Sequence, residues 1–184
     1  MPIYNKIIVL VGLMGSGKTR VGTDLARLAN LPFIDSDREI EQAANCSVAE
    51  IFEKFGEAEF RIREKQIMQR LLGGEPCVLA SGGGSFIQPE IRSIIKNSAI
   101  SVWLKVNIDT LVERTSRTNN RPILRGGDIR VKLQELMDVR YPVYAEADIT
   151  VVTDDQTPQD TARLVKTEID RFLQRNKGDN SAHL

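Results

Sequence analysis

Gly12-Leu13-Met14-Gly15-Ser16-Gly17-Lys18-Thr19 fits GxxxxGK[ST], a spacing suited to holding phosphate. Its glycines let successive backbone N–H groups curl toward phosphate oxygens, and the N-terminus of a following helix adds partial positive charge. Lys18 can reach β- and γ-phosphates, and the Thr19 hydroxyl can ligate magnesium. The motif points to ATP or GTP and is silent about the second substrate.

Asp35-Ser36-Asp37 follows the apolar pair Phe33-Ile34. In extended backbone the two acids point to the same side. A phosphate loop of this kind needs a carboxylate at a neighbouring strand end to hold magnesium. The run Cys77-Val78-Leu79-Ala80 ends in Ser81-Gly82-Gly83-Gly84 and offers none, so Asp35 and Asp37 are the candidates. The same residues also read as a helix N-cap, because short oxygens satisfy free N–H groups there. Asp37 can serve in both ways.

Three further groups suggest an acceptor site. Glu57, Arg61 and Glu64 share a helical face and can pair. Glu64 also falls in the apolar stripe Phe60, Ile67, Leu71, which draws it inward toward Arg61 as partner. A solvated charged face is the alternative. Gly82-Gly83-Gly84 is more glycine than a turn needs, and it allows a ligand to approach backbone amides closely. Arg140 continues the stripe Ile129, Leu133, Leu136, so it faces inward and requires an anion, either an internal acid or a substrate carboxylate. Pro142 then removes one helical hydrogen bond and kinks the helix end.

The elements that must position these residues alternate. Strand-like runs are Ile7–Val11, 32–34, Cys77–Ala80, Ile100–Leu104 and Ile149–Val152, and helical patterns lie near 18–29, 37–44, 47–73 with a break near Gly56, 89–97, 108–117, 128–146 and 158–175. Alternation of this kind implies an α/β fold with a parallel sheet covered by helices on both faces. At 184 residues one domain is expected over residues 1–176, with a polar, frayed tail from 177 to 184.

Composition removes several functions. Twenty-five basic side chains balance twenty-five acidic ones, so the broad positive field of a nucleic-acid binder is absent. No apolar run approaches the roughly 20 residues that span a bilayer, and the start does not read as a signal peptide. The lone histidine, His183, rules out Ser-His-Asp and His-zinc chemistry. Cys46 and Cys77 read as free thiols of a reducing cytoplasm. No long apolar surface helix demands a partner, so a monomer is expected.

The phosphate loop, Asp35-Ser36-Asp37, Gly56-Glu57 with Phe60-Arg61 and Glu64, Gly82-Gly83-Gly84, Asn120-Arg121-Pro122-Ile123-Leu124 and Arg140-Tyr141-Pro142-Val143-Tyr144 stand in an order and spacing that resembles the shikimate kinases. The resemblance covers about residues 7–175. It implies a three-layer αβα architecture with a five-stranded parallel sheet related to the nucleoside monophosphate kinases. It also implies a mobile lid over about 118–128, acceptor-binding helices within about 37–73, and transfer of the γ-phosphate of ATP to the 3-hydroxyl of shikimate.

By that resemblance Asp37 holds the acceptor hydroxyls, and Arg61 and Arg140 grip the carboxylate, with the Gly82–Gly84 backbone beside it. Asp35 holds magnesium through water next to Thr19. Lys18, with Gly12, Gly15, Ser16 and Gly17, holds the phosphates. Arg121 comes from the lid to neutralise the phosphoryl group, and Arg114 and Pro158 flank adenine. Two arginines and an aspartate suit a carboxylated triol, and Arg121, Arg125 and Gly126-Gly127 suit a basic hinged lid.

Two rivals remain. A gluconate or nucleoside monophosphate kinase would share the phosphate loop, and gluconate also carries a carboxylate and hydroxyls. A regulatory module that binds nucleotide without turnover would tolerate loss of Lys18, Asp35, Asp37 or Arg121, all of which are present.

Overall fold

Ile7-Ile8-Val9-Leu10-Val11 is buried at every position because neighbouring side chains enter different cores. Ile7, Val9 and Val11 point into one, and Ile8 and Leu10 into the other, the period of two expected of a strand covered on both faces. In the computed structural model, which describes residues 4–117, 127–154 and 156–181, this run is β1 (Ile7–Val11), the centre of a sheet. It is joined by β2 (Phe33–Asp35), β3 (Val78–Ala80), β4 (Ala99–Lys105) and β5 (Ile149–Val152) in the order β2-β3-β1-β4-β5. All four pairings are parallel, as the strand-helix alternation implies.

Helices α1 (Lys18–Ala29) and α7 (Pro158–Ser181) cover one face through Val21, Leu25, Val165 and Ile169. The other face is covered by α3 (Val48–Leu72), α4 (Pro89–Ser98), α5 (Ile108–Ser116) and α6 (Ile129–Tyr144), which contribute Met68, Ile91, Leu111 and Leu133. The result is three layers. A smaller core of Ile40, Ile51, Phe60 and Ile67 joins α2 (Ser36–Ala44) to α3. The register sets β1, β2 and β3 level: Asp35 pairs with Ala80, and Ala80 with Leu10. The phosphate loop, the acid pair and the glycine trio therefore leave the sheet at the same carboxyl edge, where open α/β sheets bind ligands.

Element ends differ from expectation in places, whereas the break in the long third helix and the free cysteines are as expected. Asp35 belongs to β2, and α2 begins at Ser36, because Asp35 itself caps that helix. The break in α3 is at Gly56, with φ 80° and ψ 175°. Helix α6 runs on through Pro142 to Tyr144. The tail expected to fray beyond 176 continues α7 as far as Ser181; extending an existing helix adds hydrogen bonds without a new nucleus. The lid expected over 118–128 lies outside the described residues except for Gly127 and Asp128, and the latter caps α6. Cys46 and Cys77 are unpaired. No described helix is long and apolar enough to cross a membrane.

Candidate active site

No side chain caps α1. Its N-cap is Gly17 in a left-handed conformation, φ 93°, so the first-turn amides are left for an anion. Gly15 is also left-handed, and a Cβ there would stand 2.9 Å from Thr115 Cγ2. The Lys18 ammonium donates to the carbonyls of Gly12 (2.8 Å) and Leu13 (2.9 Å). Arg114, on α5, donates to the carbonyls of Gly15 (3.5 Å), Thr153 (3.2 Å) and Asp154 (3.4 Å), tying the loop to the end of β5. Gly15, Ser16, Gly17, Lys18, Thr19, Arg114 and Pro158 line one cavity of about 590 Å³. Gly12 is buried behind it.

Asp35 and Asp37 line the same cavity but divide the tasks. Asp35 accepts from Thr19 Oγ1 at 2.9 Å and from the Asp37 amide at 3.1 Å. The cap is therefore Asp35, and Asp37, which sequence allowed to cap as well, is released from it. Asp37 Oδ1 is shut off from water and has no hydrogen-bond partner. Burial first, then the charges of Asp35 and Glu64, push the Asp37 pKa up to about 6, while Lys18 works the other way.

The donor set beside Thr19 and Asp35 suits magnesium, a hard cation held by one or two protein oxygens plus water and phosphate. Among the described residues no cluster of three or more His, Cys, Asp or Glu forms an all-protein metal cage.

Arg61, Gly84 and Arg140 line a second cavity of about 670 Å³, next to the first because Gly83 lines one and Gly84 the other. Glu64 is fully buried and pairs with Arg61 Nη1 at 2.7 Å, while Glu57 holds Arg61 Nη2 at 3.0 Å. Burial works against the Arg61 charge, but the two carboxylates outweigh it and raise the guanidinium above its ordinary range. Of the two alternatives for this face, the inward pair is the one formed. Arg140 Nη1 donates to the Gly83 carbonyl at 3.3 Å, a neutral acceptor rather than the internal acid or substrate carboxylate expected.

The glycine trio has a different reason from the one its composition suggests. None of the three has positive φ. A Cβ on Gly82 would lie 2.7 Å from Glu64 Oε1 and 2.8 Å from Asp37 Oδ1, and one on Gly84 would lie 2.7 Å from the Arg61 guanidinium carbon. These two glycines make room for the site's own charged side chains. At Gly83 the nearest atoms are 3.5 Å or farther, so only there is the backbone open to a ligand.

Sequence reasoning missed several supports. Ser36 Oγ accepts from the Gly82 amide at 3.0 Å, fastening the acid pair to the glycine trio. Tyr144, four residues beyond Arg140 on the same stripe, is fully buried and donates its hydroxyl to the Gly83 carbonyl. Burial raises its pKa to about 12, so it stays a donor. The helical spacing from Arg140 was signal enough to find Tyr144; nothing local marked Ser36. Arg121 lies outside the described residues.

Comparison with known proteins gives the same answer from three directions. The shikimate kinase family model matches residues 14–174. A shikimate kinase of Brucella canis is 49% identical over 152 residues, covering 83% of this chain and 76% of that protein. One from Mesorhizobium japonicum is 45% identical over 174 residues, covering 95% and 84%. The solved shikimate kinase of Acinetobacter baumannii in complex with shikimate superposes with a TM-score of 0.87 at 38% identity, covering 90% of this chain and 93% of that one. With a phosphate loop, an acid pair and two arginines converging on one sheet edge, and a family match over most of its length, this chain belongs to the shikimate kinase family.

Proposed function

We propose that the chain transfers the γ-phosphoryl group of ATP to the 3-hydroxyl of shikimate, giving ADP and shikimate 3-phosphate, a step toward chorismate and the aromatic amino acids. One observation carries the reading most: Asp37 has a buried, unpartnered carboxylate oxygen in the same cavity as Lys18 and Thr19. An orphaned buried acceptor in such a place is costly unless a ligand hydroxyl completes it.

In this reading Asp37, ionised, accepts a hydrogen bond from the attacking hydroxyl and orients it. Arg61 and Arg140 take the acceptor carboxylate, beside the Gly83 backbone, with Gly82 and Gly84 keeping the neighbouring side chains in place. Lys18 leaves the loop carbonyls for the β- and γ-phosphates, which the amides of Gly15, Ser16 and Gly17 also hold, and Gly12 supplies the turn. Arg114 and Pro158 flank adenine, and Arg121 neutralises the phosphoryl group in flight from the lid. Thr19 and, through water, Asp35 would hold magnesium. That ion, when bound, supplies charge neutralisation across the phosphates. Transfer of this kind rests on positioning and charge rather than covalent catalysis, so a chain without a site histidine is equal to it. We assign it to the cytoplasm as a monomer; two unpaired thiols support a reducing compartment.

The test is ADP release from ATP and magnesium with shikimate, gluconate, AMP or no acceptor. Turnover is expected with shikimate alone. Turnover with gluconate or AMP instead would overturn the acceptor, and nucleotide binding without any turnover would favour the regulatory module.

A further inference from the structure

Glu64 gathers three donors in a fully buried setting: Arg61 Nη1 at 2.7 Å, Ser85 Oγ at 2.5 Å and Gln88 Nε2 at 2.7 Å. Ser85 has Oε1 to itself, whereas Arg61 and Gln88 share Oε2. Gln88 stands at the N-cap position of α4, yet its side chain makes no cap. The amide is committed to Glu64 instead, and the residue lines the same cavity as Arg61 and Arg140.

The sharing matters because of what Arg61 has left. Its Nε and Nη2 donate to Glu57 and its Nη1 to Glu64, which uses three of the five N–H groups of a guanidinium. Ser85 anchors Oε1, but without Gln88 the other oxygen would answer to Arg61 alone and would draw the guanidinium inward. A neutral second donor on that oxygen fixes the carboxylate and divides its pull. Arg61, which lines the cavity, is then held at one angle with two N–H groups left for a ligand.

We infer that Gln88 is a positioning residue for acceptor binding, acting on Arg61 through the shared oxygen of Glu64. The inference rests on the reading that Arg61 grips the acceptor carboxylate. Gln88 touches no reacting atom. Its contribution falls on shikimate affinity and leaves the phosphoryl-transfer step and the nucleotide alone.

The test measures shikimate Kd by calorimetry, with KM and kcat, for the wild type, Gln88→Ala, Arg61→Lys and the double variant. Gln88→Ala is expected to weaken shikimate binding by roughly 5- to 20-fold, the part of a lost hydrogen bond to a charged group that reaches Arg61 rather than fold stability. The KM for ATP and kcat should stay within about twofold, and in the Arg61→Lys background the loss should shrink to under about twofold, since coupled residues are not additive. Gln88→Met, about the same size without a donor, should weaken binding at least as much.

Unchanged shikimate affinity in Gln88→Ala, or an equal loss in both Arg61 backgrounds, would overturn the inference. If Gln88→Ala melts early, Gln88→Asn, one methylene short of Glu64, carries the same comparison. Arg61→Lys alone tests the underlying reading: an unmoved shikimate KM there removes the acceptor assignment, whereas a raised KM with a silent Gln88 removes only the role of Gln88.

Discussion

Thr19 Oγ1 donates to Asp35 Oδ2 at 2.9 Å, joining the first turn of α1 to the last residue of β2. One carboxylate thus serves the hydroxyl proposed to ligate magnesium with one oxygen and a helix cap with the other. The two roles separate by substitution. Asp35→Asn keeps a good cap and loses the charge, so the magnesium needed for half-maximal rate should rise by roughly tenfold or more, with little change in melting. Asp35→Ala loses both and should also cost about 1 kcal/mol of stability. A magnesium titration unmoved by either variant would remove Asp35 from the metal site.

Asp37 is held in a setting that favours its neutral form, so its removal should stabilise the fold. The carboxyl titrates at 3.8 in the unfolded chain and about 6 in the folded one. Folding therefore takes up protons between those values, and stability falls as pH rises through the folded pKa. At pH 7.5 Asp37→Asn should raise Tm by roughly 3–8 °C, from about 1–3 kcal/mol of relieved strain. The gain should vanish below about pH 4, where both forms are neutral. A Tm at pH 7.5 equal to or below wild type would show that Asp37 is not destabilised there.

The same shift appears in the kinetics with the opposite consequence. If ionised Asp37 orients the hydroxyl, kcat/KM for shikimate should fall on the acid side of about pH 6. Asp37→Asn should lose roughly 10²-fold or more in kcat while ATP binding stays within about twofold. A flat profile from pH 5 to 7, or near-normal turnover in the variant, would end the role given to Asp37.

How far the site could be read in advance depends on whether its parts are near one another in the chain. The phosphate loop is eight consecutive residues, so the spacing alone carries its chemistry. Glu64 and Arg140 each interrupt an apolar helical stripe, and a period of 3.6 shows which way they face. Arg140 was legible for that reason, and Glu64 as one of two readings left open. Ser36 meets Gly82 and Gln88 meets Glu64 only because β2 lies beside β3 and α3 beside α4. Those contacts are set by sheet order and helix packing, and no local pattern encodes them. The glycine trio was visible as an anomaly, but its cause was not, since the charged side chains that fill the space around Gly82 and Gly84 come from α2 and α3.

That explanation separates three substitutions which composition alone would treat alike. Gly82→Ala puts a methyl against two carboxylates and should both destabilise the fold by about 1–3 kcal/mol and abolish turnover. Gly84→Ala displaces the Arg61 guanidinium, so it should raise the shikimate KM with a smaller loss of stability. Gly83→Ala meets only ordinary contacts and should leave Tm within about 2 °C while the KM rises. Equal melting losses in all three, measured by calorimetry, would count against this division.

Arg114, unlike Arg61 with its two carboxylates, donates to backbone carbonyls. Its Nη1 donates to Gly15 in the phosphate loop, and its Nη2 to Thr153 and Asp154 at the end of β5, so it bridges two walls of the cavity proposed to hold the nucleotide. Arg114→Ala should therefore raise the KM for ATP by roughly tenfold, the effect of about 1.4 kcal/mol, and leave the shikimate KM within about twofold. Arg114→Lys should recover little, because a single ammonium cannot fork between two walls as a planar guanidinium does. If the two KM values rose together, the arginine would be a general support of the α5 end rather than part of the nucleotide site. A full recovery in Arg114→Lys would show that the charge alone is what the site requires.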